Sequence, residues 1–364
     1  MDDEGNLVDP TKPSEISREH ARQIYVTMVR LQVMDNLFYE AQRQGRFSFY
    51  LQSTGEEALN VGSAAGMDAK DTVLAQYREQ GVIMWRGFTY KQFAHQVLGT
   101  HQALGKGRQM PIHYGSAELY FHTISSPLAT QIPQAVGVAY ANKMDNRPQV
   151  AVVYFGDGAA SEGDFHAAMN FASTLEVPVV FICRNNGWAI STPAHEQYRG
   201  DGIAGRGPAY GIPTTRVDGN DALAMWEVSA AARKIALEES RPVLIEAMTY
   251  RSAHHSTSDD SARYRSKDEM KRWQGREPVG RFRLWLESKG WWTEEEEVDL
   301  RNSSRVELLA AIEDAEKAPK PSLENMVTDV YDVVPPQLRE QEAGVARMIE
   351  LHSQDFESLN LAKK

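Results

Sequence analysis

A strand running straight into Gly-Asp-Gly, then a helix, then a second strand running into Asn-Asn-Gly leaves this chain few folds to adopt. Val150-Ala151-Val152-Val153-Tyr154-Phe155 is a continuous apolar run rich in β-branched residues, the pattern of a strand buried on both faces. It stops at Gly156-Asp157-Gly158. The spacing of Phe165, Ala168, Met169, Ala172 and Leu175 predicts a helix with one buried face. That helix is expected to start at Ser161, with Asp164 as a variant capping box, and to end at Val177-Pro178. Residues 179–183 form the next strand. Strand, crossover helix and strand make a βαβ unit with parallel strands. A second unit follows at 215–217, 221–239 and 242–247. Repeated alternation predicts an α/β fold, a parallel sheet with helices on both faces.

Ligands of such sheets collect beyond the carboxyl ends of the strands. Here the two ends carry Gly156-Asp157-Gly158 and Arg184-Asn185-Asn186-Gly187-Trp188. The glycines let the backbone turn and approach a bulky anion, and the following helix N-terminus favours a diphosphate. Asp157 offers a carboxylate oxygen, Asn186 an amide oxygen, and Arg184 positive charge. Magnesium takes about six oxygens and commonly shares them with phosphates. One carboxylate, one amide, one backbone carbonyl, two diphosphate oxygens and a water complete that sphere. Either turn alone is ordinary punctuation. The pair, one after each strand of a βαβ unit with residues 159–184 between them, is far more specific.

Around this core the sequence predicts an N-terminal arm over 1–16 and one α/β domain over 17–318. A C-terminal arm and helix occupy 319–364. Ser17 is placed to cap a long helix ending near Gln44, with Gly45 just beyond it. Lys and Arg number 39 against 50 Asp and Glu, a formal charge of −11 that argues against nucleic-acid binding. The single cysteine, Cys183, sits inside an apolar run and reads as a buried strand residue in a reducing compartment. No apolar stretch has the length of a membrane span. The acidic start, Met1-Asp2-Asp3-Glu4, is unlike a signal or transit peptide. The expectation is a cytoplasmic bacterial protein, or a mature form whose presequence has been removed.

The segment from Gly156-Asp157-Gly158 to Asn185-Asn186 resembles the thiamine-diphosphate motif. Nearly end to end the chain resembles the alpha subunits of the branched-chain 2-oxoacid dehydrogenase decarboxylating component. The likeness is carried by Gln76-Tyr77-Arg78-Glu79, Gly105-Lys106-Gly107-Arg108-Gln109-Met110-Pro111, 124–133, 156–163 and 251–266. The resemblance implies a magnesium ion on Asp157, Asn186 and the Trp188 carbonyl. It implies diphosphate contacts from Gln76, Tyr77, Arg78, Arg184 and His255, with Ser126, Leu128, Gly156, Gly158 and Ala159 lining the cofactor. Ser125, Pro127, Thr130 and Gln131 match a potassium-binding turn. His255 would act in acyl transfer to a lipoyl-bearing acyltransferase core. Ser256 and Ser266 match phosphorylated serines, which brings a regulatory kinase and phosphatase into view, and a eukaryotic source would mean the mitochondrial matrix. Some members carry Glu at the position of Asp157 and many carry Tyr at that of Trp188; the latter acts through its backbone.

The implied reaction is oxidative decarboxylation of branched-chain 2-oxoacids. The resemblance puts an essential glutamate on a separate beta subunit, giving an α2β2 heterotetramer. Preference for branched chains rests on the serine loop and residues 48–55, so pyruvate and acetoin dehydrogenase alpha subunits are the near alternatives. A nicotinamide or flavin oxidoreductase is disfavoured by spacing: Gly156, Gly158 and Gly163 leave four residues before the last glycine, where the dinucleotide fingerprint has two. A non-enzymatic scaffold would have no use for intact Asp157 and Asn186. Gly105-Lys106-Gly107-Arg108 lacks the spacing of a phosphate loop. The 251–266 loop, poor in apolar residues, is expected to be mobile, and the 294–297 glutamates to be a solvated helix start. Trp291-Trp292 fits core packing as well as a subunit contact.

Overall fold

The computed structural model describes residues 1–9, 11, 14–356 and 360–362; the remaining parts of both predicted arms lie outside the described residues. Five parallel strands form the central sheet: β1 (Thr72–Leu74), β2 (Ala151–Gly156), β3 (Val179–Asn185), β4 (Thr214–Asp218) and β5 (Val243–Met248). Their order is β1-β2-β3-β5-β4, and all four pairings are parallel. Both predicted βαβ units are present.

Alternate strand residues feed two cores, as a period of two requires. Val152, Tyr154, Val180, Ile182 and Ile245 pack on the side of the helices Arg18–Arg43, Ala222–Glu238 and Glu294–Lys317. Val153, Phe155, Phe181 and Cys183 face the helices Gln131–Met144 and Gly163–Leu175. Cys183 is fully buried, as expected. The first long helix has the predicted punctuation: the Ser17 hydroxyl accepts from His20 N, and Gly45 follows with φ +78°. No helix among the described residues is long and apolar enough to cross a membrane.

Three expectations need correction. After Gly158 the chain makes a 3₁₀ turn over Ala159–Ser161 before the helix begins at Gly163. Glu162, not Ser161, is therefore the residue before the helix, so no capping box with Asp164 forms; the Ser161 hydroxyl instead accepts from Gln197 Nε2 at 2.8 Å, and Leu175 in the last turn is 37% exposed. The 294–297 run does start a helix, through a reciprocal box between Thr293 and Glu296, but Glu297 is buried. It accepts from Tyr25 Oη, Trp292 Nε1 and Arg301 Nε. Trp292 packs edge-on against Tyr25 and so belongs to the core of this chain. The third correction is a missed strand. β1 is three residues long, too short to leave a periodic signal, and it carries part of the site.

Candidate active site

The carboxyl ends of β1, β2, β3 and β5 converge on a cavity of about 410 Å³. β1 supplies Gln76, Tyr77 and Arg78; β2 supplies Gly156, Asp157, Gly158 and Ala159; β3 supplies Arg184, Asn186 and Trp188; β5 leads to Arg251 and His255. Leu128 closes one side. Ser126 stands apart from this wall, exposed, with its hydroxyl 3.4 Å from His113 Nε2.

Local hydrogen bonds hold the strand tips in place. Glu79 Oε2 accepts from the backbone N–H of Gln76 and Tyr77, at 3.0 and 2.8 Å, which folds the turn after β1. Gln76 Oε1 accepts from Gly156 N at 2.7 Å and so ties β1 to β2. Gly158 has φ −63°, an ordinary value, so its glycine is not there to turn the chain as the sequence reading had it. Its reason is space: a Cβ at 158 would lie 2.7 Å from Ala189 Cβ.

Asp157 is 1% exposed, and its Oδ2 has no hydrogen-bond partner among the described residues. Burial pushes its carboxyl up to about 6. An unpaired buried acceptor is costly, and a bound cation removes that cost. Asn186, also buried, donates from Nδ2 to Glu56 Oε1 at 2.8 Å, while its Oδ1 accepts from Trp188 N at 3.1 Å across Gly187 (φ +82°). One carboxylate, one amide oxygen and the Trp188 carbonyl make an all-oxygen donor set suited to magnesium held jointly with an anion. No cluster of three or more His, Cys, Asp or Glu fit for a metal occurs among the described residues.

Two residues to which the sequence reading gave no role in the site organise the charge. Glu56 and Glu79, both fully buried, flank Arg184: Nη1 lies 2.7 Å from Glu56 and Nε 2.5 Å from Glu79. These carboxylates hold the buried guanidinium well above its ordinary pKa, and Arg184 with Arg78 holds the Glu56 carboxyl below the usual range despite its burial. Arg251 is the other omission; its Nη2 donates to Ile190 O at 2.7 Å and Tyr264 Oη at 3.0 Å. Three buried arginines (78, 184 and 251) thus meet three buried carboxylates (56, 79 and 157). A divalent cation entering with a doubly charged anion leaves that balance unchanged. Glu56 comes just before a helix in Gly55-Glu56-Glu57, where a solvated helix start is the default reading; only its long-range partners reveal it.

His255 faces the cavity, with Nδ1 3.1 Å from Arg78 Nη2 and 3.3 Å from Arg251 Nη1. Two guanidinium donors on Nδ1 place the proton of the neutral ring on Nε2. Burial, then Arg78 and Arg251, pull its pKa down to about 3. The neutral imidazole therefore persists throughout the neutral range. In the cofactor-free chain, ¹⁵N NMR is expected to show no His255 titration between about pH 5 and 8; a midpoint near 6.5 would overturn this. His254 turns away, its Nδ1 accepting from Ser261 N at 3.0 Å.

The 251–266 loop is better packed than its composition led us to expect. Arg251, Ser256, Ser261 and Arg265 are buried, and Arg265 caps the Arg251 and Ala253 carbonyls. Arginine stems and forks here replace apolar packing. Ser256 is 8% exposed, beside Ser258; Ser266 caps the helix Lys267–Gln274 by accepting from Glu269 N at 3.1 Å. On the far side of the cavity Thr130 Oγ1 donates to Pro127 O at 3.0 Å, and Gln131 Nε2 to Tyr154 O at 3.1 Å. Ser125 on the same turn is exposed. In the discounted glycine segment, Lys106 pairs with Asp329 at 3.0 Å.

Comparison with known proteins accords with this geometry. A family model described as "Dehydrogenase E1 component" matches residues 25–324. The "2-oxoisovalerate dehydrogenase subunit alpha 2, mitochondrial" of Arabidopsis thaliana is 56% identical over 98% of this chain and 76% of its own length. The corresponding alpha subunits of Dictyostelium discoideum and Homo sapiens are each 52% identical over 98% of this chain, covering 81% and 80% of theirs. The chain belongs to the dehydrogenase E1 component family, as an alpha subunit of the branched-chain 2-oxoacid dehydrogenase kind.

Proposed function

We propose that this cavity binds thiamine diphosphate through magnesium, and that with a beta subunit the chain decarboxylates branched-chain 2-oxoacids and passes the acyl group to a lipoyl-bearing partner. The observation that carries the reading is the unpartnered, buried Asp157 Oδ2 at one strand tip beside Asn186 and Trp188 at the next. When bound, the cofactor supplies the carbon nucleophile and electron sink that decarboxylation needs.

This chain's own groups bind and orient. Asp157, Asn186 Oδ1 and the Trp188 carbonyl hold the metal. Arg78 and Arg184 set positive charge toward the diphosphate, with Gln76 and Tyr77 on the same wall. Glu56 and Glu79 keep Arg184 aimed by gripping both of its edges. His255 presents its Nε2–H on the side of the ring away from the arginines, where a neutral imidazole donates a hydrogen bond to the group being transferred. We assign the turn of Ser125, Pro127, Thr130 and Gln131 to a structural potassium ion.

The family resemblance puts the glutamate that activates the cofactor's aminopyrimidine on a separate beta subunit, so catalysis requires both chains. With thiamine diphosphate, magnesium and 2-oxoisovalerate, the purified chain alone is expected to show no decarboxylation, and the chain co-expressed with the beta subunit to show it with preference over pyruvate. Full activity of the isolated chain would sink the division of labour. Equal rates on pyruvate would sink the branched-chain assignment.

A further inference from the structure

Trp188 does two things in two directions. Its backbone faces the cavity, while its indole points the other way, into a second groove of about 720 Å³ lined also by Tyr250, Tyr264, Glu269 and Trp273. There the indole Nε1–H donates to Glu269 Oε1 at 2.9 Å, and the ring lies tilted against Tyr264 at 5.4 Å. Trp188 is thus the wall between the two spaces.

Glu269 sits on the helix Lys267–Gln274, which has eight residues and none of them buried. A helix that short does not hold itself together in water. Its evident moorings are the Trp188 bond at Glu269 and a parallel stack of Trp273 on Tyr250, 4.9 Å apart with rings 1° from coplanar. Tyr250 lies two residues past Met248, the end of β5, which fixes the helix to the sheet. A firmly moored Glu269 in turn fixes the indole, and a fixed indole restricts the backbone of residue 188. Arg251 reinforces this from the cavity side, its Nη1 donating weakly to the Trp188 carbonyl at 3.4 Å.

We infer that Glu269 is a positioning residue for the metal, acting through the Trp188 indole to hold the residue 188 carbonyl in line with Asp157 and Asn186. The inference rests on the magnesium reading of the cavity and deepens it. Carboxylates behind a metal ligand commonly act this way, orienting the ligating group without touching the ion. A tyrosine or phenylalanine at 188 keeps the ring but lacks the indole N–H, so Glu269 has meaning only alongside tryptophan.

The test titrates magnesium into the assembled αβ enzyme with thiamine diphosphate present and follows binding by calorimetry, independently of turnover. Trp188→Phe and Glu269→Ala are each expected to weaken magnesium binding about ten-fold. The double variant should be no weaker than either single one, because both remove one bond. Glu269→Gln, whose amide oxygen still accepts from the indole, should restore most of the affinity. Wild-type affinity in either single variant overturns the inference, as do additive losses in the double variant or a Glu269→Gln as weak as Glu269→Ala. Asp157→Ala run alongside separates the two levels. If it binds magnesium normally, the metal site itself is wrong; if it loses magnesium while the Trp188 and Glu269 variants do not, only the positioning role falls.

Discussion

Asp157→Ala is expected to weaken magnesium-dependent retention of thiamine diphosphate by about 100-fold or more in the assembled enzyme, with little loss of fold. The two halves of that outcome have one cause. The Asp157 carboxylate is 1% exposed and its Oδ2 lacks a partner among the described residues, so the folded chain meets a desolvation cost that a bound cation returns. Removing the side chain removes the ligand and the cost together. The sign of the pH effect follows. Burial raises the carboxyl from 3.8 to about 6, so the metal-free folded state binds more protons than the unfolded state between those values. Its contribution to stability is therefore lost as pH rises from about 4 to 6, by about 3 kcal/mol. The metal-free chain should melt lower at pH 7 than at pH 5, and Asp157→Ala should reduce that dependence without abolishing it, because burial also raises the Asp35 carboxyl to about 7. Magnesium binding should weaken as pH falls below about 6, where the proton competes. Calorimetry at several pH values measures both; unaltered cofactor retention by the variant would end the metal assignment.

How much of this was visible in the sequence differs from residue to residue for physical reasons. The first βαβ unit was legible because buried parallel strands are written as uninterrupted apolar runs, and the glycine and asparagine turns stand out where those runs stop. In the second, only β5 is such a run, since β4 (Thr214-Thr215-Arg216-Val217-Asp218) lies at the sheet edge with no buried residue. β1 was not legible, since three residues carry no period. Its turn residues, Gln76 to Glu79, came from family resemblance alone. Asp157 and Asn186 were readable as oxygen donors at strand tips. Glu56 was hidden, because what distinguishes it from a solvated glutamate is a pair of bonds to residues 128 and 130 positions away. Composition misled for the 251–266 loop: few apolar residues usually mean poor packing, but Arg251 and Arg265 spend their donors on backbone carbonyls and bury themselves. The 3₁₀ turn after Gly158 defeated the capping-box reading because it takes up Ser161 itself and moves the helix start to Gly163.

Glu56→Ala should be the most destabilising single change at the site, and its damage should reach the metal as well. Glu56 has no exposure, one oxygen on Arg184 Nη1 at 2.7 Å and the other on Asn186 Nδ2 at 2.8 Å. Truncation leaves a buried guanidinium with Glu79 as its remaining carboxylate, and removing one member of a buried ion pair costs about 3–5 kcal/mol. It also removes one of the two hydrogen bonds that orient the Asn186 amide, leaving the Oδ1 offered to the metal held only by Trp188 N. Glu56→Gln separates these effects. It keeps an acceptor for one neighbour but not the charge, so Arg184 remains under-compensated while some of the orientation of Asn186 survives. The expected order of thermal midpoints is wild type, then Gln, then Ala, with cofactor affinity falling in the same order. Removing the rest of the cluster's charge as well, in Glu56→Ala/Glu79→Gln/Arg184→Met, should recover stability relative to Glu56→Ala, since neither Arg184 nor its second partner Glu79 is left as an unpaired buried charge, yet should not recover cofactor binding. Recovery of both, or of neither, would mean that Glu56 does not serve Arg184 and Asn186 at once.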